Sequence, residues 1–299
     1  MRISGFYDEA SGNLDEQIAL VKQLNEQYLC PRNISGKAIS NYSFEEFESQ
    51  IKPKLVENNI KLSSLGSNIG KVGINDDEAF NAQVKKLEQL LKMANSMDCK
   101  YIRMFSFHMP KDEDPNNYLD AVVKKLKVFV DMAQKYGVTL IHENEKKIFG
   151  DTPQRCLALI ENINSENFKL CYDSANYVQC SVDPLEAYEL TKPHTVYFHV
   201  KDCSEYKIEM PLGTGICHFE KVIKELKENN FDGFLTLEPH VKKYVQLRRL
   251  LTVLPIMQGR RKSYKQINKA KNKNFFSKIT KTDVFIWQYD ALKEMIVKA

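Results

Sequence analysis

Eight short runs rich in β-branched and aromatic residues recur along the chain, with longer segments of helical period between them. This alternation narrows the fold more than any other feature. The strand-like runs are RISGF from Arg2, YLCPRNI from Tyr28, KLSSLG from Lys61, YIRMFSF from Tyr101, VTLIHEN from Val138, FKLCYD from Phe168, TVYFHVKD from Thr195 and GFLTLEP from Gly233. Helical patterns between them include Leu14 to Asn25, Phe44 to Asn58, Asp76 to Met97, Tyr118 to Tyr136, Thr152 to Ile163 and Phe219 to Glu228. Asn13, Ser43, Asp114 and Asp151 stand where helix N-caps are wanted, and Gly137 stands where a helix would stop. Parallel strands joined by crossover helices form either an open doubly wound sheet or a closed barrel. The open sheet usually carries a glycine-rich phosphate turn after strand 1. Here strand 1 runs into GFYDEASGN, which has neither GxGxxG nor GxxxxGK[ST]. The expectation is an α/β chain folded as a (β/α)8 barrel, one domain over residues 1–299, long enough at 43% hydrophobic residues to bury a full-sized core.

Composition restricts the setting. Strand 1 begins at Arg2, leaving no room for a basic and then apolar leader, and no stretch approaches eighteen uninterrupted apolar residues; a soluble, cytoplasmic protein is expected. The seven cysteines are scattered singly with no CxxC pair, against a disulfide framework or a cysteine zinc site. The net charge of +4 conceals an asymmetry: residues 242–281 hold thirteen Lys or Arg and no Asp or Glu, leaving −9 on the remainder. Basic character is therefore confined to one segment, and the barrel itself is not expected to bind nucleic acid.

Strand parity supplies the functional clue. Alternate side chains of a barrel strand face the interior, so Thr139, Ile141 and Glu143 share a face, as do Cys171 and Asp173, then Tyr197, His199 and Lys201, then Thr236 and Glu238. Each of these last four strands ends in a polar residue at the C-terminal rim, where barrels of this type assemble their sites. Taken alone, a Glu at a strand end is ordinarily a solvated or capping residue, and a His in YFHV an ordinary core histidine. Three converging carboxylates, however, repel one another unless a cation or shared protons offset their charge. One divalent ion held by Glu143, Asp173, His199 and Glu238 is the economical solution. The donor set suits Mn²⁺, Mg²⁺ or Co²⁺, with Zn²⁺ also compatible.

The segments LIHENE at Leu140, LCYDSANYVQC at Leu170, YFHVKDC at Tyr197, PLGTG at Pro211 and FDGFLTLEPH at Phe231 resemble the xylose isomerase-like barrel superfamily, in particular its sugar phosphate isomerase/epimerase group, over about Arg2 to His240. The resemblance implies the same four metal ligands, and further that Glu143 and Glu238 exchange protons with a substrate carbon from opposite faces. Such a pair could epimerise one carbon, or isomerise an aldose and a ketose, through a metal-bound enediolate. Many relatives place a histidine three residues after the Asp; this chain has Asn176 there, which keeps hydrogen bonding but cannot switch charge near neutral pH. Asn176, Lys201, Arg32 and His108 are the candidate substrate contacts, Lys201 toward a substrate oxygen or phosphate. Arg103, His142 and His240 are weaker candidates, and PLGTG is read as a tight turn near the rim.

The implied partner is a small carbohydrate or keto-acid, with self-association compatible and nucleic acid ranked last. A hydroxypyruvate-isomerase-like enzyme or a dehydratase is the nearer alternative, and an abasic-site endonuclease or a non-catalytic sugar-binding barrel the more distant. For residues 242–281 three readings compete: an exposed insertion, which ranks first, a surface for an acidic partner or nucleic acid, or a stretch whose reading frame has diverged from that of its relatives. Residues 250–257, LLTVLPIM, would complete the barrel if the first reading fails.

Overall fold

The computed structural model describes residues 1–240 and 280–299. Most of the basic segment therefore lies outside the described residues, together with the apolar run 250–257. Seven strands form one parallel sheet: β1 (Arg2–Gly5), β3 (Leu65–Ile69), β4 (Tyr101–Met104), β5 (Thr139–Glu143), β6 (Phe168–Asp173), β7 (Thr195–Val200) and β8 (Phe234–Leu237), in the order β1-β8-β7-β6-β5-β4-β3. The remaining stave is β2 (Tyr28–Leu29). The Cys30 amide donates to Gly5 O at 3.1 Å on one side, and β2 pairs in parallel with Lys61–Leu62 on the other, which brings the two edges of the sheet together. The barrel expectation holds.

Two strands are shorter than their sequence suggested. Tyr28 to Ile34 reads as one run, but Pro31 offers no amide and fixes its own φ, so pairing ends at Leu29 and Asn33–Ile34 turns back against Lys37–Ala38. Tyr101 to Phe107 ends as a strand at Met104, with Phe107 at a φ of 63°.

Helices α1 (Leu14–Gln23), α2 (Lys52–Glu57), α3 (Asp77–Ser96), α4 (Leu119–Lys135) and α5 (Pro153–Ile163) follow the first five strands, with α2 the last turns of a helical run that begins at Phe44. Their period is visible in what they bury: Leu87, Leu90, Leu91 and Ala94 on α3, and Val122, Leu126, Phe129 and Ala133 on α4. Each large side chain of this kind contributes roughly 1.5–3 kcal/mol when it leaves water. Asn13, Ser43 and Asp114 cap as expected, but the cap of α5 is Thr152, which accepts from the Arg155 amide, while Asp151 pairs with the Arg155 guanidinium. Gly137 has a φ of +66° just past α4, the left-handed stop its position called for.

Helices α6 (Ser174–Gln179) and α7 (Pro184–Thr191) were not foreseen; α8 (Phe219–Glu228) was. The closing helix α9 (Lys281–Lys298) starts on a Thr280/Asp283 capping box and covers β1: the Phe285 ring lies 4.7 Å from that of Tyr7, and the Tyr289 hydroxyl donates to Leu24 O at 3.0 Å. Among the described residues no helix is long and apolar enough to cross a membrane.

Candidate metal centre

Parallel register puts partner residues on the same face of the sheet. Glu143 is opposite Cys171, His199 is opposite both Asp173 and Thr236, and the Glu238 amide donates to Val200 O at 3.1 Å just past β8. Glu143, Asp173, His199 and Glu238 are all buried, and each offers a donor atom within 4.8 Å of the others.

Several of these atoms face one another without a hydrogen bond. Both His199 ring nitrogens are buried and lack hydrogen-bond geometry to any partner, although Nδ1 lies 3.1 Å from Glu143 Oε1 and 3.2 Å from Glu238 Oε2, while Asp173 Oδ2 and Glu238 Oε2 turn to the Lys201 ammonium at 2.8 and 3.6 Å. Buried polar atoms in proteins are nearly always paired, so such a group marks a volume where a ligand belongs. The opposite lone pairs are well anchored. Arg103 Nη1 donates to Glu143 Oε2 at 3.0 Å, and Arg32 Nη1 to Glu238 Oε1 at 3.1 Å. The Asn176 amide donates to Glu143 Oε1 at 3.1 Å, and the Asn176 backbone N–H to Asp173 Oδ1 at 2.9 Å.

Charge tells the same story. Among the described residues, five carboxylates (Asp8, Glu9, Glu143, Asp173 and Glu238) are joined by ion pairs to three permanent cations (Arg32, Arg103 and Lys201), leaving two negative charges. In this charge state imidazoles make up the difference. Burial opposes a charged ring at His199, but Cys171 and Glu143 raise it well above its ordinary value; Glu238 and Glu9 likewise outweigh burial at His240. Burial would lift the Glu143 carboxyl, but His199 and Arg103 hold it down at about 2, whereas burial carries Asp173 up to about 6 despite Lys201. One divalent cation would balance the same two charges with both imidazoles neutral. The donors present therefore fit such an ion.

The other expected residues separate into two groups. Arg32 is at the site but fully engaged: Nε reaches Asp8 at 3.0 Å and Nη2 reaches Glu9 at 3.2 Å, besides the contact to Glu238. Lys201 and Asn176 are buried among the carboxylates. Lys201 Nζ is 2.8 Å from Asp173 Oδ2 and 3.0 Å from Asn176 Oδ1, the plain interior ion pair that its position also allowed. His108 is not brought to the group. Its backbone bridges Gly73 and Ile148, and it lines a separate cavity of about 510 Å³ with Asp76, Asp77 and Met109. His142 points away from Glu143 to Ser106, 2.9 Å from Nε2, with burial holding its ring at about 4 in the neutral form. His240 does reach the rim, with Nδ1 2.6 Å from Glu9 and Nε2 3.3 Å from Glu238.

The turn PLGTG has a definite task. The Asp202 carboxylate accepts from five backbone amides, those of Gly213, Thr214 and Gly215 at Oδ2 and of Cys203 and Cys217 at Oδ1. A Cβ at Gly215 would stand 2.2 Å from Asp202 Oδ1, so only glycine fits there. Sequence reasoning missed this carboxylate, and also Asp8, Glu9 and Asn144. Asp8 and Glu9 follow β1 at the same rim but in a 3-10 turn, beyond the reach of the alternation that selected the other strand ends. Asn144 holds Asp173 through both its amide nitrogen and its oxygen, each at 2.9 Å.

A family model described as xylose isomerase-like TIM barrel matches residues 30–258. The chain belongs to that family. A probable L-ribulose-5-phosphate 3-epimerase UlaE of Mycoplasma pneumoniae is 27% identical over 143 residues, 47% of either chain. The chain thus spans about half the length of that curated relative, and 59% of the next. Among solved structures, the IOLI protein with a bound zinc atom superimposes with a TM-score of 0.74 at 14% identity, covering 100% of this chain and 99% of that one. An L-ribulose 3-epimerase superimposes with a TM-score of 0.69 at 14% identity, covering 100% and 94%. These structural likenesses bear on the fold. L-ribulose-5-phosphate 3-epimerases of other organisms recur among the curated relatives.

Proposed function

We propose that this chain is a divalent-metal-dependent isomerase or epimerase of a small sugar or sugar phosphate, with Glu143 and Glu238 as its proton-transfer pair and Glu143, Asp173, His199 and Glu238 as its metal ligands. The observation that carries this reading is the convergence of four buried ligand groups, with both His199 ring nitrogens lacking a hydrogen-bond partner, in a cluster whose ion pairs among the described residues leave two negative charges over. A divalent ion held there would supply Lewis-acid stabilisation of the negative charge that develops when a proton leaves the carbon next to a carbonyl.

The chain's own residues do the rest. Arg103 fixes one oxygen of Glu143 and Arg32 one oxygen of Glu238, so each carboxylate has a set orientation. One takes the proton and the other returns it, to the same carbon for epimerisation or to its neighbour for isomerisation. Above them opens a cavity of about 250 Å³ lined by Asn33, Ser40, Asn68 and Lys71 among others, groups suited to hydroxyls. The trinuclear endonuclease alternative needs several histidines, and of the chain's six only His199 and His240 stand at the cluster.

The test incubates ketoses, aldoses and keto-acids with the metal-loaded chain in D₂O and follows them by NMR, with metal content measured in parallel. Deuterium entering a carbon next to the carbonyl, together with about one divalent ion per chain, is the expected outcome. Full activity in verified metal-free protein would sink the proposal.

A further inference from the structure

The geometry points to Phe6 as the residue that sets Glu143 and Glu238 against each other, its ring being the shared seat of the two guanidiniums, Arg103 and Arg32, that hold those carboxylates. The inference rests on the proton-transfer pair just proposed and adds a positioning residue to it.

Phe6 immediately follows β1. Ser4 is in register with Thr236, so Phe6, two residues on, stands level with Glu238 on the same inward face. Its amide donates to Leu237 O at 3.0 Å. The side chain is apolar and buried, yet it lies among charges. Arg32 Cζ lies over the ring, 4.6 Å from its centre, and Arg103 Cζ lies over it at 4.8 Å. The His199 ring meets it nearly at right angles, with centres 5.1 Å apart. Gly66 on β3 leaves the room: a Cβ there would stand 2.6 Å from Phe6 Cε1 and 3.2 Å from Pro31 O. The carbonyl of the same glycine accepts from Arg103 Nη2 at 3.4 Å.

Each guanidinium passes its position on. Arg103 Nη1 donates to Glu143 Oε2 at 3.0 Å, and Arg32 Nη1 to Glu238 Oε1 at 3.1 Å. Two like charges brought to one place repel, but the negative face of an aromatic ring attracts both, most strongly out of water. Contact therefore runs without a break from Glu143 through Arg103, Phe6 and Arg32 to Glu238. An aliphatic side chain of similar bulk would fill the space and offer no face to a cation. Taking a proton from one carbon and returning it needs both carboxylates at set distances from that carbon, and a misplacement of about 1 Å costs on the order of a hundredfold in rate. Phe6 thus acts on turnover through the spacing of the two bases.

The experiment uses the full, metal-loaded chain with pentafluorophenylalanine in place of Phe6, which keeps the ring's outline and apolar character and reverses the charge of its face. A chain with 4-fluorophenylalanine at the same position, whose face stays negative, is the conservative control, and Phe6→Leu is a second variant. Two readouts are taken: kcat and KM on a ketose that the wild type converts, and solvent exchange of the Arg32 and Arg103 Nε–H groups by NMR without substrate. In the pentafluorinated chain kcat is expected to fall at least about tenfold, equivalent to about 1.4 kcal/mol, with KM within about twofold and metal content unchanged. Both Nε–H groups should exchange faster, and the control should restore rate and protection together. Phe6→Leu should behave like the pentafluorinated chain; if it does not fold, the pentafluorinated chain decides. A kcat within about twofold of wild type there, or a raised KM at unchanged kcat, would overturn the inference. If the wild type exchanges no sugar proton with any divalent ion, the proposed function falls, and the arginine signals judge Phe6 alone: faster exchange in the pentafluorinated chain upholds the shared seat, and unchanged exchange overturns it.

Discussion

The two ends of the barrel interior are equally buried and chemically opposite. At the N-terminal end Ile141, Cys171, Tyr197 and Phe234 form a compact cluster with Tyr28 and Tyr101 packed against it. Its polar atoms complete one another: Ser4 Oγ is 2.7 Å from Ser63 Oγ, which is 2.9 Å from the Tyr197 hydroxyl, and Thr236 donates to the same hydroxyl. Two residues further along the same inward faces stand Asp173, His199 and Glu238, where both His199 ring nitrogens lack a hydrogen-bond partner. Depth does not distinguish a working site from a core; polar satisfaction does. The lower layer completes its hydrogen bonds within the chain, and the upper layer keeps donor atoms that the proposed metal ion would engage.

Four experiments would break or sharpen that contrast. The largest effect is expected from Glu143→Gln and Glu238→Gln, which keep shape and remove basicity; each should lower turnover at least about a hundredfold, metal occupancy being measured alongside. Rates within threefold of wild type for both would exclude the paired scheme. Next, loading the chelated protein with Mn²⁺ at a hundred times its dissociation constant should stabilise it by about 2.7 kcal/mol in a thermal melt, and His199→Ala should abolish that gain. Third, Asn176→Ala frees Glu143 and Lys201 from their shared amide and should weaken metal affinity about 10- to 100-fold, a loss visible by calorimetry. The smallest change belongs to the lower layer. Tyr197→Phe should cost roughly 1–3 kcal/mol of stability by stranding Ser63 and Thr236, with metal content unaltered. If it strips the metal instead, the two layers are not independent and the comparison fails.

Strand parity made the upper layer legible because β5 to β8 are regular enough for a period of two to survive to the rim. Helix caps at Asn13, Ser43 and Asp114 were legible for the same local reason. The supporting groups were not. Arg32 meets Glu238 across 206 positions of sequence, and no nearby residue announces that pairing. Asp8 and Glu9 lie in a short 3-10 turn after β1, where alternation has already ended. Helix α6 was hidden because LCYDSANYV is buried along its whole length, which leaves no polar stripe to mark the helical period. Asn176 and Lys201 were identified as site residues, but sequence could not say that both would face inward to the carboxylates.

The five amides gathered on Asp202 bear on how such a barrel can change without failing. Residues 203 to 217 leave β7 and return to α8 with both ends pinned to one side chain adjoining the barrel wall, and the hairpin Asp202–Cys203 with Glu209–Met210 projects from that anchorage to an exposed tip at Tyr206. The intervening stretch is in effect a cassette. Its length and composition can be rewritten with His199, three residues upstream of the anchor, held where it is. New surfaces could be tried there at little risk to the chemistry, whether by mutation over generations or by loop grafting at the bench.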